Sequence, residues 1–253
     1  MISLSGKGAL LVGTKRVGQI VARRLAREGV NLAIAYRSSK AEAEELQRDL
    51  GSSVNVSLVQ GDVGLEEDVV RMVATAKEEL GDLSFLVNLA SNFPRDPFDT
   101  LDGKAWDDAM SFAKGNYLLA VNAARLMKKN APPTRGHIIM FSDWAAQETP
   151  YRDYVPYLTA KASVDFMTRA FAAELAGDGI LVNAIAPGPT MRPPDISKDV
   201  WQHGVVEQAP LQRESSAEEM AEIIATLLKS ETITGETIRV DSGRHLAGPG
   251  VEG

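Results

Sequence analysis

Short apolar runs alternate along this chain with longer stretches in which apolar residues recur every three or four positions. Ala9, Leu10, Leu11 and Val12 read as a buried strand. Residues 17–28 follow as a helix, with Ile20, Val21, Leu25 and Ala26 on one face. The alternation repeats: strand 31–36 and charged helix 40–50, then strand 54–60 and helix 66–80, which Gly81 stops. Strand 85–88 precedes a long helix over 104–129, predicted to loosen around Gly115. Strand 137–141, helix 157–176, strand 181–185, helix 217–228 and strand 237–240 complete the series.

The strands are short and apolar throughout, as parallel strands covered on both faces must be. Strand–helix alternation then predicts right-handed crossovers and one α/β domain over residues 1–253: a doubly wound, Rossmann-type parallel sheet of about seven strands with helices on both faces. No linker or repeat interrupts it. The proline-rich stretch 187–194 follows a strand end and reads as an active-site loop, with a substrate loop over about 189–215.

Composition narrows the chemistry. There is no cysteine, which excludes disulfides, thiolate catalysis and thiolate-held metals, and fits a reducing compartment. His137, His203 and His245 are scattered, so no metal site is expected. A net charge of -7 without a basic stripe argues against nucleic acid. Residues 1–8 are too short and polar for a signal peptide, and no apolar run approaches a membrane span. The expectation is a cytoplasmic protein acting on a small molecule, with no membrane or nucleic-acid partner.

Tyr157 and Lys161 stand four apart on one helix face, so that phenol and ammonium can meet. A nearby ammonium is expected to lower the phenol pKa and make Tyr157 a proton donor near neutral pH. After the first strand, Gly13, Thr14, Lys15, Arg16, Val17 and Gly18 form a turn whose glycines allow close approach of a pyrophosphate to a helix N-terminus. A carboxylate at the end of the second strand would bind ribose hydroxyls; this chain has Tyr36, Arg37, Ser38 and Ser39 there. Guanidinium and hydroxyl groups suit a 2′-phosphate, so the pattern points to NADP(H) rather than NAD(H). Asp62 and Val63 follow the third strand, and Asn88, Leu89, Ala90 and Ser91 end the fourth, on the rim where open parallel sheets bind ligands.

With the stretch from Asn183 to Gly188 and the ending from Thr234 to Gly243, this ordered set resembles the short-chain dehydrogenase/reductase family over nearly the whole length. The resemblance implies hydride transfer from a nicotinamide to a carbonyl or imine, in a homotetramer or homodimer. Within the family the chain is similar to pteridine reductases, in its Lys15-Arg16-Val17-Gly18 turn, in Phe93 where they stack a ring on pterin, and in Ser142-Asp143, with aspartate where most members have the catalytic serine.

The resemblance implies that Tyr157 donates the proton, Lys161 holds the nicotinamide ribose and lowers the Tyr157 pKa, and Asp143, with Ser142, orients or supplies the proton. Gly13, Arg16, Val17 and Gly18 would bind phosphates, with Lys15, Arg16, Arg37 and Ser38 around the 2′-phosphate. Pro187 and Gly188 would bracket the nicotinamide amide, with Thr190 nearby. Met191 and Trp201 would wall the substrate side of a loop closing over residues 192–208.

Three departures stand out. The turn from Gly13 is one residue shorter than the family's and lacks its last glycine; Ser111-Phe112-Ala113 replaces a mid-helix asparagine; and the span from Asp143 to Tyr157 is one residue longer. Two alternatives stay open: a 3-oxoacyl-thioester or small-ketone reductase, and a non-catalytic NADP(H)-binding sensor or scaffold.

Overall fold

The computed structural model describes residues 1–192 and 196–247. Part of the substrate loop and most of the chain's last residues lie outside that range. The first half winds through β1 (Gly8–Val12), α1 (Val17–Arg27), β2 (Asn31–Tyr36), α2 (Lys40–Leu50), β3 (Val56–Gln60) and α3 (Glu66–Leu80). Next come β4 (Phe85–Asn88), α4 (Gly103–Met127), β5 (Gly136–Phe141), α5 (Val155–Leu175) and β6 (Ile180–Pro187). The short α6 (Lys198–Trp201), then α7 (Ala217–Lys229) and β7 (Thr237–Val240), finish it. The sheet order is β3-β2-β1-β4-β5-β6-β7 and every pairing is parallel.

Successive side chains of a strand point to opposite faces, which explains the unbroken apolar runs. Ala9 and Leu11 enter one layer with Val21, Leu25, Leu46 and Ile224, from α1, α2 and α7. Leu10 and Val12 enter the other, with Met72, Leu119 and Val164 from α3, α4 and α5. The winding reverses between β1 and β4, and register sets Val12 beside both Ala35 and Asn88. The residues that follow these strands therefore emerge together at one end of the sheet, the crevice where such folds bind ligands.

Helix α4 runs unbroken through Gly115, against the expected loosening. A Cβ on Gly115 would lie 2.9 Å from the Val63 Cβ and carbonyl oxygen, so this glycine permits close packing rather than a bend. Helix α5 begins two residues before Tyr157, with Pro156 in its first turn, where a missing N–H costs nothing.

At the opposite end of the sheet, His137 on β5 is fully buried, and neither ring nitrogen has a partner. Burial foremost, then the Lys7 ammonium, push its pKa from an ordinary 6.5 down to about 4, against a smaller opposite pull from Glu231. Above pH 6.5 the imidazole is neutral whether the chain is folded or unfolded. Between 6.5 and about 4 the unfolded chain takes up a proton that the folded chain refuses, so stability falls as pH falls. The whole effect is on the order of 3 kcal/mol. Urea unfolding of His137→Leu and the parent across this window should therefore show the variant gaining on the parent by about that amount as pH drops. A pH-independent difference contradicts it.

Candidate active site

Helix α5 carries Tyr157 in its first turn and Lys161 one turn later. Asp143 leaves the end of β5 and caps a 3-10 turn at Trp144–Ala146, its Oδ1 accepting the Ala145 amide at 2.9 Å. The same carboxylate's Oδ2 accepts the Tyr157 hydroxyl at 2.7 Å. Asp143 is thus both a turn cap and the partner of the phenol. Lys161 Nζ donates to the Phe141 carbonyl at 2.8 Å, and the Ser142 hydroxyl to the Lys161 carbonyl at 3.3 Å. Tyr157, Asp143, Lys161 and Ser142 are all buried.

The electrostatics differ from the expected pairing of ammonium and phenol. Lys161 Nζ lies 5.7 Å from the centre of the Tyr157 ring and is turned to a carbonyl, whereas a carboxylate touches the hydroxyl. Burial, then the Asp143 charge, hold the Tyr157 pKa well above its ordinary 10. The phenol therefore stays protonated at neutral pH. Burial likewise raises the Asp143 carboxyl, although the hydrogen bonds from Ala145 and Tyr157 and the Lys161 charge act to keep it ionised. Burial lowers Lys161 to about 8, against the pull of Asp143.

The glycine turn fits a dinucleotide. Gly13 has φ +97°, and a Cβ on Gly18 would lie 2.0 Å from the Gly13 carbonyl oxygen, so the turn has no room for side chains there. Arg16 opens α1 from the left-handed region at φ 54°, without a side-chain cap on the helix amides, and Val17 begins the helix. Its guanidinium crosses to the Met191 carbonyl, joining the β1–α1 and β6–α6 loops.

At the end of β2, Arg37 is well exposed and lies 3.4 Å from the Asp62 carboxylate; Lys15 lies 3.4 Å from Glu42. The Thr14 and Ser39 hydroxyls pair at 3.0 Å. Ser38 lies between Arg37 and the N-cap residue of α2, Ser39. No carboxylate stands at positions 36–39, so the donor set suits a phosphate and would crowd none. Asp62 also accepts the Gly64 amide at 2.9 Å, and Val63 packs on Gly115.

Past the end of β6, a Cβ on Gly188 would come within 2.6 Å of Asp241 Cα, and Thr190 donates to the Gly188 carbonyl at 2.9 Å, just past Pro187. Asn88 is buried; it accepts the Ala90 amide at 3.1 Å and donates to Asn116 at 2.8 Å. Ser91 donates to the Asn92 carbonyl. A cavity of about 10 Å³ is bounded by Ser91, Ala113, Asn116, Tyr157 and Lys161. Asn116 lines it from α4, one turn past the 111–113 stretch where the family's asparagine is missing.

Beside Tyr157 lies an aromatic cluster. Phe93 stacks on Tyr154 with ring centres 4.5 Å apart and meets Tyr157 edge-on at 5.0 Å, yet remains 54% exposed. Trp201 is buried instead, and its indole N–H donates to Glu214 within the loop. Tyr151 and Tyr154 were not expected in this neighbourhood from sequence. The recurrence of tyrosine at 151, 154 and 157 was the available signal.

A family model described as enoyl-(acyl carrier protein) reductase matches residues 13–245. The 3-oxoacyl-[acyl-carrier-protein] reductase FabG of Staphylococcus aureus is 31% identical, over 95% of this chain and 98% of its own. Among solved structures, FolM alternative dihydrofolate reductase 1 from Brucella suis, in complex with NADP, aligns with a TM-score of 0.88 and 28% identity over 96% of each chain. A short-chain dehydrogenase from Burkholderia cenocepacia, also with NADP, aligns at 0.87 and 26% identity, over 96% of this chain and 99% of that one.

Proposed function

Because the chain belongs to the short-chain dehydrogenase/reductase family, we propose that it is an NADPH-dependent reductase of C=O or C=N groups in which Tyr157 donates the proton. The observation that carries this reading is the buried Tyr157 phenol, kept protonated and aimed by Asp143. The cofactor would lie along Gly13, Arg16, Val17 and Gly18, with Lys15, Arg37 and Ser38 at its 2′-phosphate, Asp62 and Val63 at the adenine, and Asn88, Ala90, Ser91, Pro187, Gly188 and Thr190 toward the nicotinamide. When bound, it supplies the hydride. Tyr157 gives its proton to the substrate oxygen or nitrogen, Asp143 orients the hydroxyl, and the Lys161 ammonium offsets the negative charge left on phenol and carboxylate. An intact donor of this kind disfavours the sensor or scaffold alternative.

The substrate class we favour is a pterin-like ring. One face of Phe93 rests on Tyr154 while much of the ring is exposed beside the donor, a shelf suited to a planar heteroaromatic. The FolM likeness supports it. The FabG likeness favours a second reading, a 3-oxoacyl thioester. A homodimer or homotetramer fits the outer faces of α4 and α5, where Trp106, Tyr117 and Phe166 are exposed.

Fluorescence titration should give tighter binding of NADPH than of NADH. Arg37→Ala should weaken NADPH by about ten-fold or more and leave NADH nearly unchanged. Equal affinities in the parent would remove the 2′-phosphate assignment. In turnover assays, Phe93→Ala should lower kcat/KM on dihydropterins by about ten-fold and barely touch aliphatic ketones. Equal losses on both, or none on pterins, would remove the pterin reading.

A further inference from the structure

Two loops are fastened together beside the proton donor. Arg95, between β4 and α4, turns its guanidinium onto Asp153, between β5 and α5. Its Nε and Nη2 both donate to the Asp153 Oδ2, at 3.0 and 2.7 Å. The Asp96 amide donates to the Asp153 carbonyl at 2.7 Å. Three hydrogen bonds from one loop therefore land on a single residue of the other. Asp153 has φ 67°, a left-handed conformation that aspartate and asparagine tolerate better than most residues.

The rings of the site stand next to this clasp in sequence. Phe93 precedes Arg95 by two residues, and Tyr154 directly follows Asp153. Only Pro94 separates Phe93 from Arg95; it fixes its own φ and disfavours helical backbone at Phe93. A movement of the clasp is thus passed to the ring. The Phe93 and Tyr154 rings stack at an interplanar angle of 23°, and Phe93 keeps its edge-on contact with Tyr157. The Asp96 backbone bond alone would let the loop swing about one point. The guanidinium bonds supply a second point and stop the swing. A ring held in this way has given up its rotamer freedom before a ligand arrives, which a mobile side chain would lose only on binding.

Resting on the reading of Phe93 as a shelf for a pterin-like ring, we propose that Arg95 and Asp153 are positioning residues for the substrate: their clasp sets Phe93 on Tyr154 and beside Tyr157, so that a planar ring meets a shelf already formed. Arg95 is exposed and Asp153 half-buried. An ion pair so placed stabilises a fold only slightly, so Arg95→Ala is expected to fold as the parent does.

The position of the ring is read by 19F NMR on protein carrying 4-fluorophenylalanine at 93, without nucleotide or substrate. Arg95→Ala should move the resonance toward its place in the urea-unfolded protein. Arg95→Lys, which keeps the charge but not the fork, should fall between parent and Arg95→Ala. Asp153→Asn tolerates the same φ and still accepts one bond, so it should act in the same direction by less, and should add nothing to Arg95→Ala. In turnover, Arg95→Ala should raise KM for a dihydropterin about five-fold with kcat held within about two-fold. It should leave an aliphatic ketone unchanged and add no loss in a Phe93→Ala background. A resonance unmoved by Arg95→Ala overturns the proposal, as do effects of Arg95→Ala and Asp153→Asn that add. A dihydropterin KM unchanged in Arg95→Ala, where Phe93→Ala shows a loss, overturns it too. If Phe93→Ala itself has no effect on dihydropterins, the pterin reading fails instead; the fluorine signal needs no turnover and still decides whether the clasp sets Phe93.

Discussion

The hydrogen bond from the Tyr157 hydroxyl to the Asp143 carboxylate, 2.7 Å long and buried, is the constraint on which the rest of the site depends. It joins the end of β5 to the start of α5, so both elements must finish at a fixed place. It sets the protonation of the pair: the carboxylate discourages the phenolate, and the phenol helps hold the carboxylate ionised. Lys161 completes the balance from one helical turn away, its ammonium anchored on the Phe141 carbonyl rather than on the phenol. On the proposed reading, the pair is a neutral acid waiting for a base, which a substrate would become only as hydride reaches it.

The sheet explains how, on the proposed reading, this acid would meet a dinucleotide. Parallel strands end together, and reversal of winding between β1 and β4 opens a crevice at that end. Gly18 lies so close to the Gly13 carbonyl that no side chain fits, which keeps backbone rather than side chains at the crevice floor. The Arg16 contact to Met191 then ties the floor to the loop on the substrate side. The shorter turn noted in sequence thus leaves the glycine geometry in place, and α4 presents Asn116 to the small cavity beside Lys161 despite the missing asparagine.

Nearly all of the architecture was legible because buried parallel strands and amphipathic helices have different periods, and each stretch here keeps one period throughout. Gly115 misled, since helix propensity says nothing about Val63 lying against it. In the site, Tyr157 and Lys161 were readable from spacing, yet their electrostatic relation was not. Spacing places two side chains on a face; a hydrogen bond to Phe141 and a carboxylate from another strand decide which group touches the phenol. Tyr151 and Tyr154 were missed for the same reason, because their positions depend on a loop whose path no periodicity encodes.

The most direct test of the central claim is a single turnover. Enzyme loaded with NADPH is mixed with a dihydropterin or a 3-oxoacyl thioester, and loss of the reduced-nicotinamide absorbance is followed for the parent and for Tyr157→Phe. The account predicts that the variant binds NADPH as the parent does but is slower by about 10²-fold or more, because general acid catalysis contributes at least that much. Equal rates would contradict the assignment of Tyr157 as the proton donor.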